Sequence, residues 1–209
     1  MKNVFALLLV LTTLTGCAGF QANNLPTLSE SDMDFVKQSE KVVVFSKFKV
    51  DSSSALIDRD MAASYQKKKF DEALINTGCC EISDDSSNSD LVLTVKSTDH
   101  SNPAAVVPAI LTGLTLYAIP SWVTETRDFE IQVDNKKGKT EEYELRDSFV
   151  LVQWLPMMFA FPFQGGPIAN GEELTQNLVR NLLQKIEKDD FLKDSQRADD
   201  IALSGNSSK

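Results

Sequence analysis

The chain has 209 residues, with 21 Lys or Arg, 30 Asp or Glu, one His and three Cys. That length suits one domain with a sizeable core, and a net charge of −9 excludes a nucleic-acid binder, which needs a basic face to neutralise phosphates. One His and three Cys are too few for a zinc or iron–sulfur framework or a disulfide scaffold, so no metal and no other cofactor is expected.

Met1, Lys2 and Asn3 lead into an apolar run from Val4 to Leu11 and then Leu14-Thr15-Gly16-Cys17. A positive start, a brief apolar run and small residues before a cut describe a secretory signal over residues 1–16, too short to span a bilayer. Leu14-Thr15-Gly16-Cys17 resembles the bacterial lipobox. The resemblance implies that the Cys17 thiol takes a diacylglycerol and that Cys17 becomes the first residue of a lipoprotein carrying two or three palmitate-like chains. Two chains at about 0.8 kcal/mol per buried methylene hold stably, where one would not. Ala18 stands where, in that family, an Asp retains the protein in the inner membrane. The resemblance therefore implies an outer-membrane lipoprotein facing the periplasm.

Residues 17–40 are polar and without clear period, and read as a lipidated Cys followed by a tether. Residues 41–192 read as a single α+β domain, and 193–209 as a fraying tail rich in Asp, Ser and Ala. Val42-Val43-Val44-Phe45, then Phe48 and Val50, predict a strand over 41–50. A helix is predicted over 58–77, with Met61, Tyr65, Phe70, Ala73 and Leu74 near one face and Lys67-Lys68-Lys69 on the other. Gly78 is its stop. A short strand near 79–83, a polar loop at 84–90 and the strand Leu91–Val95 follow. Phe129, Ile131 and Val133, then Tyr143 and Leu145, alternate with polar residues about Asp134-Asn135-Lys136-Lys137-Gly138, the turn of a hairpin. Leu174, Leu178, Val179, Leu182, Leu183 and Ile186 define a last helix, with Asn170 and Glu173 as a capping-box-like start. The prediction is a mixed, roughly five-stranded sheet, β-α-β-β-β-β-α, with helices on one face. This order resembles the amino-terminal domain of the Tol-system translocation protein, the curli-secretion lipoprotein and auxiliary lipoproteins of ABC transporters. That resemblance implies an accessory role in the envelope.

Two stretches carry no charged residue: Ser101–Thr124 and Ser148–Gly171, 24 residues each. They hold six of the seven prolines and one tryptophan apiece, Trp122 and Trp154. Because a hairpin brings its open ends together, the two insertions must leave the sheet side by side as one apolar feature. Three readings stay open. They could be a pair of spanning helices, although prolines break the apolar runs. They could fold back into the domain's own core. Or they could form an exposed patch that meets lipid or an integral envelope protein, with Trp122 and Trp154 as contact residues at an apolar–wet boundary.

Other motifs have plainer readings. Gly138-Lys139-Thr140 echoes the end of a phosphate loop, but the required upstream Gly is Val133 and the site is a turn. Ser46/Lys49 and Ser64/Lys67 show Ser-x-x-Lys spacing at the frequency chance allows. Asp84, Ser86, Asn88 and Asp90 have the odd spacing of a calcium loop, yet Ser89 replaces its glycine and Val95 its last carboxylate. His100 reads as a surface or capping residue beside Asp99, there being no Gly-x-Ser-x-Gly elbow to serve. Cys79-Cys80 reads as one buried and one partly exposed thiol, a vicinal or intermolecular bridge being the alternative. The expected protein is a non-enzymatic, lipid-anchored accessory subunit docking on a membrane partner. A binding module for an apolar envelope molecule and a hydrolase using His100 are the alternatives.

Overall fold

The computed structural model describes residues 17–22, 24–37, 41–52, 58–157 and 167–191. The expected signal over 1–16 and tail over 193–209 lie outside the described residues, as do 158–166 of the second charge-free stretch. In chain order the elements are β1 (Cys17–Gln21), a 3-10 turn (Glu30–Met33), α1 (Asp34–Lys37), β2 (Val42–Ser52), α2 (Arg59–Thr77) and β3 (Cys80–Ile82). Then follow β4 (Leu91–Ser101), α3 (Val106–Leu114), β5 (Ser121–Asn135), β6 (Thr140–Gln153) and α4 (Pro167–Lys188). The strands form one mixed sheet in the order β1-β6-β5-β4-β2-β3, so the fold is α+β as predicted, with one strand more. The added strand is β1, in the segment read as a tether.

Where the sequence reads as one domain, the chain divides into two compact units. The larger comprises Asn23–His100, Arg127–Asp147 and Glu173–Lys209. Within it β2 pairs in parallel with both β3 (Val42 opposite Cys80) and β4 (Val44 opposite Leu91). Alternate residues of each strand turn to one face and are buried there: Val42, Val44 and Val50, then Leu91, Leu93 and Val95, then Phe129, Ile131 and Val133. The other face carries charge, with Lys96 between Glu130 at 3.1 Å and Asp51 at 3.9 Å.

α2 starts on the Asp58 carboxylate, which accepts from the Asp60 and Met61 amides at 3.1 Å, and ends at Gly78, whose φ of 79° only glycine adopts freely. Phe70 meets Phe48 of β2 edge to face, the ring centroids 5.6 Å apart. Phe70, Ala73 and Leu74 are buried, but Met61 and Tyr65, predicted to share their face, are exposed. At 100° per residue, Tyr65 lies about 140° around the helix from Phe70, so the two cannot share one stripe.

α4 buries all six of its predicted apolar residues. It begins at Pro167, three residues before the expected Asn170 cap; a proline is tolerated at a first helical position because that amide has no partner there anyway. Residues 24–37 are no tether. Leu28 donates its amide to Asn177 (3.1 Å) and accepts from Arg180 (2.8 Å) through its carbonyl, Asn181 donates to the Pro26 carbonyl (2.9 Å), and Met33 and Val36 are buried. The segment is strapped along α4 by side chains the pattern analysis assigned no role. At the far end of α4 the buried Tyr143 hydroxyl donates to Asp189 at 2.8 Å; burial first, and that bond second, push the phenol's pKa up.

The hairpin turns where predicted. Asn135 accepts from the amides of Lys137 (3.0 Å) and Lys139 (2.9 Å), and Gly138 sits at φ 77°. Cys79 and Cys80 are joined in a vicinal disulfide with Cα atoms 3.7 Å apart, and both residues are buried. This replaces the reading of two separate thiols, one of them partly exposed. Burial makes two contrasting substitutions informative. Leu182→Ala, at a fully buried site, is expected to cost about 2–5 kcal/mol of unfolding free energy. Met61→Ala, at an exposed one, should change it by less than about 0.5 kcal/mol, both read from urea denaturation.

Candidate membrane-facing site

The smaller unit comprises Met1–Ala22, Ser101–Thr126 and Ser148–Glu172 and contains both charge-free stretches. β1 pairs antiparallel with the end of β6, Cys17 opposite Gln153 and Gln21 opposite Phe149, and the Ala22 amide extends the ladder to the Ser148 carbonyl at 2.9 Å. The residue that the lipobox marks for acylation is thus the first residue of a strand, with no tether between it and the fold. On the other side of β6, Ser121 donates to Gln153 at 3.2 Å. Beyond the strands, the Leu155 amide donates to the Tyr117 carbonyl at 2.8 Å. The two insertions therefore leave the hairpin side by side, as its geometry requires.

The structure decides among the three readings of these stretches. Val106, Val107, Ile110, Leu111, Leu114 and Ile119 are all at least half exposed, so the first stretch is not core. Among the described residues no helix is long and apolar enough to cross a membrane. α3 has nine residues, with Pro108 in its first turn, where a missing amide costs nothing. Trp122, at 68% exposure, and Trp154, at 38%, flank the same surface from β5 and from the end of β6. In the second stretch Phe149 is buried, Val150 to Gln153 are half-buried, and Trp154 and Leu155 are exposed.

The remaining motifs are absorbed by structure. Asp85 caps a turn by accepting from Ser87 (2.9 Å), while Asp90 is buried and accepts from the Val43 amide (2.8 Å) and Lys136 (2.6 Å). Among the described residues no group of three His, Cys, Asp or Glu is placed to hold a metal ion. Ser46 is buried and donates to Asp71, which also accepts from Lys67 at 2.6 Å; this ties β2 to α2. Ser64 and Lys49 are exposed. Lys139 donates to the Asp189 carbonyl at 2.8 Å and lies over the Phe191 ring at 4.2 Å, while Thr140 donates to Asp134 at 2.6 Å.

His100 shares Asp128 with Arg146 on the exposed face of the larger unit's strands. Its Nε2 lies 2.9 Å from one Asp128 oxygen, and Arg146 donates to both oxygens. The bond from Arg146 foremost, and that from His100 in support, hold the Asp128 carboxyl below its usual range, against the opposing effect of partial burial. A carboxylate so tied down in the folded state is an ion-pair member rather than a proton carrier near neutral pH.

No protein-family model matches the chain, and no curated protein sequence does. Among solved structures the chain is similar to a PelC variant dodecamer from Paraburkholderia phytofirmans, with 10% identity, 80% of this chain and 94% of that one covered, and a TM-score of 0.32. It is similar also to a minor lipoprotein from Acinetobacter baumannii, with 14% identity, 72% and 90% covered, and a TM-score of 0.31. A third is a DUF4136 family protein from Bacteroides thetaiotaomicron, with 14% identity, 84% and 96% covered, and a TM-score of 0.27.

The Asp128 cluster predicts a pH dependence. A folded-state pKa below the unfolded value gives stability that is present above about pH 4 and is lost as pH falls through the folded value. Asp128→Asn is therefore expected to melt below the wild type at neutral pH, and the gap should close on acidification, as followed by circular dichroism.

Proposed function

We propose that the chain is a lipid-anchored lipoprotein of the bacterial envelope, held in the outer membrane and facing the periplasm by acyl chains on Cys17. Its role is that of a non-catalytic accessory subunit that docks at the membrane through the apolar surface of its smaller unit. The observation that carries this reading is a coincidence of position. The Cys of Leu14-Thr15-Gly16-Cys17 opens β1, and the unit that contains β1 also presents the exposed apolar face of α3. A lipid on Cys17 brings that unit against the bilayer, because no flexible segment separates the acylated residue from the sheet. The element order, similar to that of accessory envelope domains, supports the subordinate role.

The test is chemical. The mature chain should begin at Cys17, incorporate labelled palmitate and fractionate with the outer membrane. Cys17→Ser should lose the label, and Ala18→Asp should redirect the protein to the inner membrane. A mature chain that begins elsewhere and carries no acyl mass overturns the reading.

A further inference from the structure

α3 is built inside out. Val106, Val107, Ile110, Leu111 and Leu114 fall within one arc of about 140° at 100° per residue, and all five are exposed. The buried residue is Thr112, whose hydroxyl donates to the Pro108 carbonyl at 3.0 Å. A helix beside water does the reverse, hiding its apolar stripe and wetting its hydroxyls.

The end of α3 repeats the inversion. The Tyr117 amide donates to the Thr112 carbonyl at 2.8 Å and the Leu116 amide to Gly113 at 3.1 Å, the bonding of a Schellman stop. Its left-handed position is held by Leu116, at φ 51°, where glycine is the usual occupant. A leucine there strains the backbone and, at 79% exposure, gains nothing from the protein's own core. It places an apolar side chain at the tip of the surface.

We propose that the outward stripe of α3 and the Leu116 tip bed in the lipid bilayer itself, in the membrane that receives the Cys17 acyl chains. The location of that membrane rests on the lipoprotein reading; the insertion rests on the surface. A docking site for a protein carries about one hydrogen bond per 100–200 Å² and a polar rim, and the five side chains of the stripe offer no donor or acceptor. Ser101–Thr124 offers no charge either. Trp122 and Trp154, each an apolar ring with one polar N–H, flank the stripe as aromatic residues flank membrane-embedded surfaces. At nine residues, about 14 Å, α3 lies in the interface and does not cross it.

These are the chain's two tryptophans, so its indole fluorescence reports on this surface. The full chain carrying Cys17→Ser, exported unacylated, is mixed with vesicles of phosphatidylethanolamine and phosphatidylglycerol. It should co-sediment, its emission should shift to the blue, and bromine-labelled acyl chains should quench it. Leu114→Asp and Leu116→Gly should each weaken partitioning by about tenfold. Leu116→Gly should melt no lower than the parent, because glycine relieves the left-handed strain, which separates lost insertion from lost folding. Three results overturn the proposal. The vesicles could leave the emission unchanged. The chain could instead form a dimer that Leu114→Asp dissolves, which assigns the surface to a second copy. Or it could sediment with cell membranes but not with lipid vesicles, which assigns the surface to an integral protein. Absence of acyl mass on the native Cys17 overturns the lipoprotein reading alone, whatever the vesicles show.

Discussion

The β5–β6 hairpin is the constraint on which the rest depends. Its turn, at Asn135–Gly138, lies among charged residues, and its open end carries none from Ser121 to Thr124 or from Ser148 to Gln153. Because the pairing is continuous, from Lys139 beside Asn135 to Gln153 beside Ser121, whatever precedes β5 and follows β6 must emerge together. The Leu155–Tyr117 hydrogen bond is the consequence, and so is the single apolar surface that two separate stretches of sequence build. β1 then adds to the free edge of that same end and brings Cys17 with it.

Two helices of one chain follow opposite rules, and the contrast carries the functional argument. α4 hides Leu174, Leu178, Val179, Leu182, Leu183 and Ile186, and its polar residues bind the 26–28 segment or face water. α3 turns its large apolar residues outward and buries a threonine. Each fully buried aliphatic side chain is worth about 1.5–3 kcal/mol relative to an exposed one. Leaving five of them on a nine-residue helix is a sizeable loss for a chain whose stability is a small difference between large terms. The loss is removed when the surface meets an apolar phase.

The polar motifs teach the complementary lesson. Ser46, Lys67 and Asp90 sit in spacings that echo catalytic or metal-binding patterns, yet each is drawn into a tie between elements: Ser46 and Lys67 onto Asp71, and Asp90 onto Val43 and Lys136. A buried carboxylate needs partners, and in a mixed sheet those come from whatever strand or turn lies nearest. Spacing along the chain does not report such partners.

The residues alone determined the periodic elements: α4 from its three- and four-residue repeat, α2 with its Gly78 stop, the strand alternation, the hairpin turn and the charge-free insertions flanking it. These are local, since side-chain direction follows from backbone period and turns follow from which residues tolerate unusual φ. The tertiary structure decided the rest. Cys17-Ala18-Gly19-Phe20-Gln21 is too short and too poor in strand formers to announce β1, which exists because β6 offers a free edge. Residues 24–37 read as a tether because their anchors, Asn177, Arg180 and Asn181, lie about 150 residues away. Above all, composition showed that residues 101–124 were apolar, but burial is a property of what lies opposite. Only the folded chain leaves that stripe with nothing of its own to cover it.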